Sequence, residues 1–95
     1  MNREDTHLEE LTALSLEWRM KIVDLESRLD DMDGPEQLTT IGLIDHLKQQ
    51  QAIVDQYLQL MHRREDASLG RNVAEVRHLL RDIDATYRRA LVYFD

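Results

Sequence analysis

The sequence predicts an all-α fold: an up-down-up three-helix antiparallel bundle with coiled-coil-like heptad packing. Three observations carry that prediction. One proline and three glycines in 95 residues leave too few turns for a sandwich or barrel, whose strands need one about every 8–12 residues. Two clusters of turn-forming residues, Asp33-Gly34-Pro35 and Ala67-Ser68-Leu69-Gly70-Arg71-Asn72, divide the chain into three long segments. Each segment repeats its apolar residues at alternating spacings of three and four, the period of a heptad seam. The expected helices run over 6–32, 35–66 and 72–94, within one domain spanning residues 1–95. Two domains do not fit in this length.

The first helix opens on Thr6-x-x-Glu9, the form of a capping box, in which each side chain satisfies a free backbone N–H of the first turn. Its seam reads Leu8, Leu11, Ser15, Trp18, Ile22, Leu25, Leu29 and Met32. The second helix has Asp33-x-x-Glu36 at its start and Pro35 in the first turn, where a missing N–H costs nothing. Its seam is Ile44, Leu47, Gln51, Val54, Leu58 and Met61. In an antiparallel hairpin paired residue numbers keep a constant sum, and here they sum to 69 for six successive pairs, Leu8/Met61 through Leu25/Ile44. Gly42 weakens the early turns of this helix, since glycine costs about 1 kcal/mol relative to alanine. Close approach of the first helix is the expected reason for it.

The third helix opens on Asn72-x-x-Glu75 and carries Val73, Val76, Leu80, Ile83, Tyr87, Ala90 and Phe94. Each lies 65 residues beyond a member of the first seam, from Leu8/Val73 to Leu29/Phe94. The three seams therefore stack into layers such as Leu8/Met61/Val73, Ile22/Leu47/Tyr87 and Leu25/Ile44/Ala90. Gln51 falls in the layer of Trp18 and Ile83, and a buried amide needs a partner. A Trp18–Gln51 hydrogen bond is expected, with Ser15 making room for the indole.

Three heptad helices with a Trp in the first resemble spectrin-type repeats. The likeness is one of period; the third helix has Tyr87 as its nearest aromatic where a Trp is expected, and the chain is shorter and holds no tandem copy.

Composition narrows the chemistry. Without cysteine there is no disulfide, thiolate nucleophile or Cys-based metal site. No apolar run approaches the roughly 18–20 residues of a membrane span, and Met1-Asn2-Arg3-Glu4-Asp5 is polar, so neither membrane helix nor signal peptide is expected and the expected location is cytoplasmic. The chain is 42% hydrophobic and 33% charged, too apolar for an acidic disordered tail. Its net charge of −7 divides into −6 for residues 1–33 (4 basic, 10 acidic), −2 for 34–69 (3 and 5) and +1 for 70–95 (5 and 4). A basic third helix beside an acidic first one is expected, together with the i,i+4 pairs Glu17/Lys21, Asp24/Arg28 and Asp84/Arg88.

Two Glu-x-x-His pairs, Glu4…His7 and Glu75…His78, have the spacing that di-iron carboxylate bundles use. The heptad places Glu75 and His78 outward, and the second seam holds no carboxylate, so a surface coincidence is expected. His7 and His62 fall at one end of the bundle, where with Glu4 or Glu65 they could take an adventitious zinc. Ser15, Ser27 and Ser68 are the only serines, and none sits on a glycine-rich elbow. No catalytic, cofactor-binding or metal-ligating residue is assigned, and no enzyme activity or cofactor is expected. Arg77, Arg81, Arg88 and Arg89 could meet phosphate, but Asp82 and Asp84 interleave with them and the chain is acidic, so nucleic acid is not the expected partner.

Apolar residues remain once the seams are filled. Ala13, Leu16, Met20 and Val23 run at spacings of 3, 4 and 3 on the face of the first helix opposite its seam. Leu43, Ile53, Tyr57 and Leu60 form a second stripe, either part of a wider core or a covered surface. The expected partner-binding residues are Leu16, Met20, Val23, Ile53, Tyr57 and Leu60. The sequence is thus expected to be a non-enzymatic protein–protein interaction module. It would self-associate, as a dimer in the simplest case, or bind the helix of another protein. In size and acidity it is similar to small helical chaperones and adaptors of bacterial export systems, an analogy of fold alone. A metal-binding bundle and a nucleic-acid regulator using the third helix's arginines are the alternatives.

Overall fold

The structure, a computed structural model, describes residues 3–63 and 69–94. Three helices, α1 (Arg3–Ser27), α2 (Pro35–Arg63) and α3 (Leu69–Leu91), pack into a rod of about 50 × 18 × 18 Å, with a single 3-10 turn (Arg28–Asp31) continuing α1. No strand occurs among the described residues. Thr12 meets His62 near one end of the rod and Glu26 meets Lys48 nearer the other, so α1 and α2 are antiparallel. His7 meets Arg77 and Trp18 meets Tyr87, so α1 and α3 run the same way. The up-down-up bundle follows.

The heptad seams form the core. Leu8, Leu11, Ser15, Trp18, Ile22 and Leu25 are buried from α1, and Ile44, Leu47, Gln51, Val54, Leu58 and Met61 from α2. From α3 Val76, Leu80, Ile83 and Ala90 are buried, with Val73, Tyr87 and Phe94 packed half-buried against them. Fully burying an aliphatic side chain contributes about 1.5–3 kcal/mol, so this column of layers is the main stabilising element.

Helix ends differ from the sequence expectation. The first α-helix stops at Ser27, not 32, and tightens into a 3-10 turn after which the Met32 N–H donates to the Leu29 carbonyl. Gly34 has φ 73°, and its carbonyl accepts from the Gln37 N–H, so Gly34 rather than Asp33 occupies the position that precedes the helix. The Gln37 side chain reaches back and donates to the Leu29 carbonyl at 3.1 Å, tying α2 to the end of the 3-10 turn. The third helix begins at Leu69, three residues earlier than expected, so that Gly70 falls within its first turn, and it ends at Leu91 instead of 94. Asn72 is therefore a buried residue inside the helix and not its cap. The first helix begins at Arg3, so Thr6 lies within it and not at its cap, while the expected end of helix 2 at 66 lies outside the described residues.

Two further expectations are corrected. Gly42 is exposed within an unbroken α2, and a Cβ there would meet nothing within 4 Å, so no close approach of α1 requires it. The core also takes in residues that the apolar seams alone do not include. Thr40 and Thr86 are buried, each donating its hydroxyl to the carbonyl four residues earlier in its own helix, at 2.8 and 3.0 Å. Thr40 extends the α1–α2 register one pair further, opposite Leu29.

Candidate protein-docking face

Side chains beside the seam define the sides of the bundle. Arg19 bonds Asp55 at 2.5 Å, Lys48 bonds Glu26, and His62 meets Thr12 at 3.4 Å, so this flank of α2 faces α1. Leu43 and Tyr57 lie on the opposite flank of α2, toward α3, and pack half-buried against the core. Tyr57 is therefore half-buried against the core and not fully presented as a surface residue. Ile53 and Leu60 remain exposed, at 43% and 41%.

Leu16, Met20 and Val23 are among the most exposed apolar side chains, at 57%, 66% and 61%. They line the back of α1. Leu16 and Val23 lean toward α2, since each borders a depression in the α1–α2 groove, of about 320 and 260 Å³. The Arg19–Asp55 pair separates the two depressions. The expected set of six thus divides between two sides of the bundle: Leu16, Met20 and Val23 beside the α1–α2 groove, and Ile53, Tyr57 and Leu60 on the side of α2 turned to α3.

Between Lys48 and Arg63 the only charged residue of α2 is Asp55, which α1 already engages. The outer face of α2 beside the stripe consists of Gln49, Ala52, Gln56 and Gln59. In a chain that is 33% charged, this is a long uncharged surface, and depletion of charge is what distinguishes the centre of a protein interface. On the other edge of the stripe, Glu10, Glu17 and Asp24 follow at heptad spacing and are exposed. Glu10 has Arg77 at 3.8 Å and Asp24 has Arg28 at 3.1 Å, whereas Glu17 has no ion-pair partner among the described residues. The expected Glu17/Lys21 pair is absent because Lys21 turns onto the Trp18 ring, 4.4 Å from its centre. The other two expected pairs, Asp24/Arg28 and Asp84/Arg88, are present.

Under the groove lies a polar cluster. Gln51 Nε2 donates to Ser15 Oγ at 2.6 Å and to Asp55 Oδ1 at 3.3 Å, and the Ser15 hydroxyl donates to Asp55 at 3.1 Å. Gln51 Oε1 is buried without a partner. The expected Trp18–Gln51 bond is therefore not formed. Trp18 instead meets Tyr87 edge-on, with ring centres 5.3 Å apart. Asp55 holds the cluster to the surface through Arg19, so one carboxylate fastens α1 to α2 from both the inside and the outside.

The other candidate groups are dispersed. His7 Nδ1 accepts from Arg77 at 3.0 Å on the α3 side, while His62 faces Thr12 in the α1–α2 groove. Glu75 and His78 are exposed, with His78 3.6 Å from Asp82. Among the described residues no three His, Asp or Glu side chains converge as a metal site would require; Glu4 and Glu65 fall outside the described side chains. Of the α3 arginines, Arg77 turns to Glu10 and Arg88 pairs with Asp84, while Arg81 and Arg89 are exposed. Ser15 is held in the polar cluster, Ser27 donates to the Asp24 carbonyl at 2.6 Å, and Ser68 lies outside the described residues.

Leu38 and Val92, each 72% exposed, are further uncovered apolar residues that the heptad reading passed over. Leu38 lies before the first apolar member of the α2 seam and Val92 in the last turns of the chain, where no stripe is long enough to show a period.

No helix among the described residues is long and apolar enough to cross a membrane. Compared with known proteins, the chain matches no family model, no curated protein and no solved structure.

Proposed function

We propose that this chain is a non-enzymatic interaction module whose α1–α2 face docks a helix of a protein partner. One observation carries the reading. α1 buries one face in the bundle and presents Leu16, Met20 and Val23 on the opposite one, beside a surface of α2 that bears almost no charge. A helix of a three-helix bundle that is polar behind needs no partner, whereas one that is apolar on both faces leaves a stripe for another helix to cover. The Ile53/Leu60 surface is on the other side of α2 and is not part of this contact.

The test uses light scattering behind size exclusion, and fluorescence anisotropy with labelled amphipathic helical peptides carrying Leu at their a and d positions. Wild type is compared with Leu16→Glu/Met20→Glu. The reading expects peptide binding or self-association by wild type, lost in a variant that keeps its helical circular dichroism. A wild-type monomer that binds no such peptide overturns it. Unfolding of the variant does so too, since that would make the stripe part of the core.

A further inference from the structure

The uncharged surface and the acidic row lie on opposite edges of one apolar stripe, and that asymmetry states what kind of helix fits it. We infer that the partner is an amphipathic helix of a different protein, basic along one flank and neutral along the other, lying on Leu16, Met20 and Val23. This rests on the docking reading above and specifies the occupant of that face.

Charge complementarity selects it. A helix seated on the stripe presents one flank to α2, where Gln49, Ala52 and Gln56 are uncharged and the charges of Arg19, Asp55 and Lys48 are already neutralised in pairs. Its other flank runs beside Glu10, Glu17 and Asp24, where Lys or Arg is favoured and Asp or Glu is repelled. Glu17, with no ion-pair partner among the described residues, is at the centre of that row. Its neighbours Glu10 and Asp24 hold their arginines in pairs that are about half exposed, so both carboxylates remain open to a second cation.

The same row disfavours a second copy of this chain. The stripe has spacings of 3, 4 and 3, so a two-fold antiparallel packing sets Ala13 against Val23 and Leu16 against Met20. Each flanking position then meets the same heptad position of the copy, as Arg19, Glu26 and Thr12 meet Asp55, Lys48 and His62 across α1 and α2, and the acidic row runs against the acidic row of the copy. A parallel packing instead sets that row beside Glu26, which repels it, as well as beside Arg19, which Asp55 already pairs. A lysine flank from another chain meets neither obstacle.

The experiment measures anisotropy with two labelled peptides of about three heptads, identical except that one flank is all Lys in one and all Glu in the other. The inference expects the Lys peptide to bind wild type about tenfold or more tightly than the Glu peptide, with the ratio shrinking as salt shortens the screening length. Glu17→Lys/Asp24→Lys should invert the preference, and the milder Glu17→Gln should reduce it without inversion. Equal binding of the two peptides, or tighter binding of the Glu peptide, overturns the basic-helix inference while leaving the docking reading intact. So does a wild-type dimer abolished by Leu16→Glu/Met20→Glu, because the second copy would then be the occupant. Binding of neither peptide by a monomeric wild type overturns both.

Discussion

The Gln51 amide donates to the Ser15 hydroxyl at 2.6 Å, and the opposite end of the same amide, Oε1, is buried with nothing to accept from. A hydrogen bond of this kind contributes about 0.5–1.5 kcal/mol net, while an unsatisfied buried polar atom costs about 1–3 kcal/mol. The pair therefore fixes which residues of α1 and α2 face one another more than it stabilises the fold. Ser15→Ala removes the best acceptor from Gln51 and should cost about 1 kcal/mol in urea unfolding. Adding Gln51→Leu removes the remaining buried amide, and the double variant should regain stability, reaching wild type or above. A double variant weaker than Ser15→Ala would show that the Gln51 bonds outweigh its orphan carbonyl.

Gly34 and Gly42 respond in opposite senses. At Gly42 the helix is unbroken and a Cβ meets open space, so Gly42→Ala should stabilise by about 1 kcal/mol through helix propensity. At Gly34 there is also space, but φ is +73°, and a side chain in that conformation costs about 1–2 kcal/mol. Gly34→Ala should lower the melting temperature by several degrees, and Gly42→Ala should raise it by about 4–8 °C, as expected for a domain of this size. Shifts of the same sign would mean that one of the two backbone conformations is misassigned.

The Lys48 ammonium is held above its ordinary pKa of 10.5, first by its hydrogen bond to Glu26; desolvation is the next-largest effect and opposes this, and the charges of Glu26 and Asp45 add smaller upward contributions. A cation whose pKa is higher folded than unfolded stabilises fully below the unfolded value, and the gain disappears as pH rises through the folded value. Stability should therefore be flat with respect to this group at neutral pH and fall above about 10.5. The side chains are about half exposed, so the effect is small and salt-sensitive. Glu26→Gln should flatten the alkaline limb of a stability–pH curve relative to wild type; an unchanged limb would assign it to other groups.

Period makes the bundle legible in the sequence. Apolar residues at heptad spacing report which face is inward, and the constant pairings between segments report height along the rod. That is why the α1–α2 layers from Leu8/Met61 to Leu25/Ile44 are found buried as read. Height does not report which neighbour a long side chain turns to. Trp18 and Gln51 share a layer, yet Gln51 turns one layer away to Ser15 and Trp18 meets Tyr87 of the next. Thr40 and Thr86 escape an apolar pattern because a threonine that bonds its own helix backbone behaves in the core as a methyl group. The Leu16/Met20/Val23 face was legible as a surplus of apolar residues. Its acidic and uncharged edges became visible only once Arg19, Glu26 and Lys48 showed which flank of α1 faces α2.

The same geometry makes a prediction about stability that is independent of any partner. Leu16, Met20 and Val23 are well over half exposed, whereas Leu25, on the same helix, is fully buried. Replacing exposed side chains away from caps and networks changes stability by less than about 0.5 kcal/mol, and truncating a buried leucine costs about 2–5 kcal/mol. Leu16→Ala and Met20→Ala should therefore leave the urea midpoint almost unmoved, since alanine is also a good helix former. Leu25→Ala should lower it steeply with the same m-value. A loss of more than about 2 kcal/mol at Leu16 or Met20 would mean that the stripe is already covered within the folded chain, and it would remove the free apolar face on which a docked helix depends.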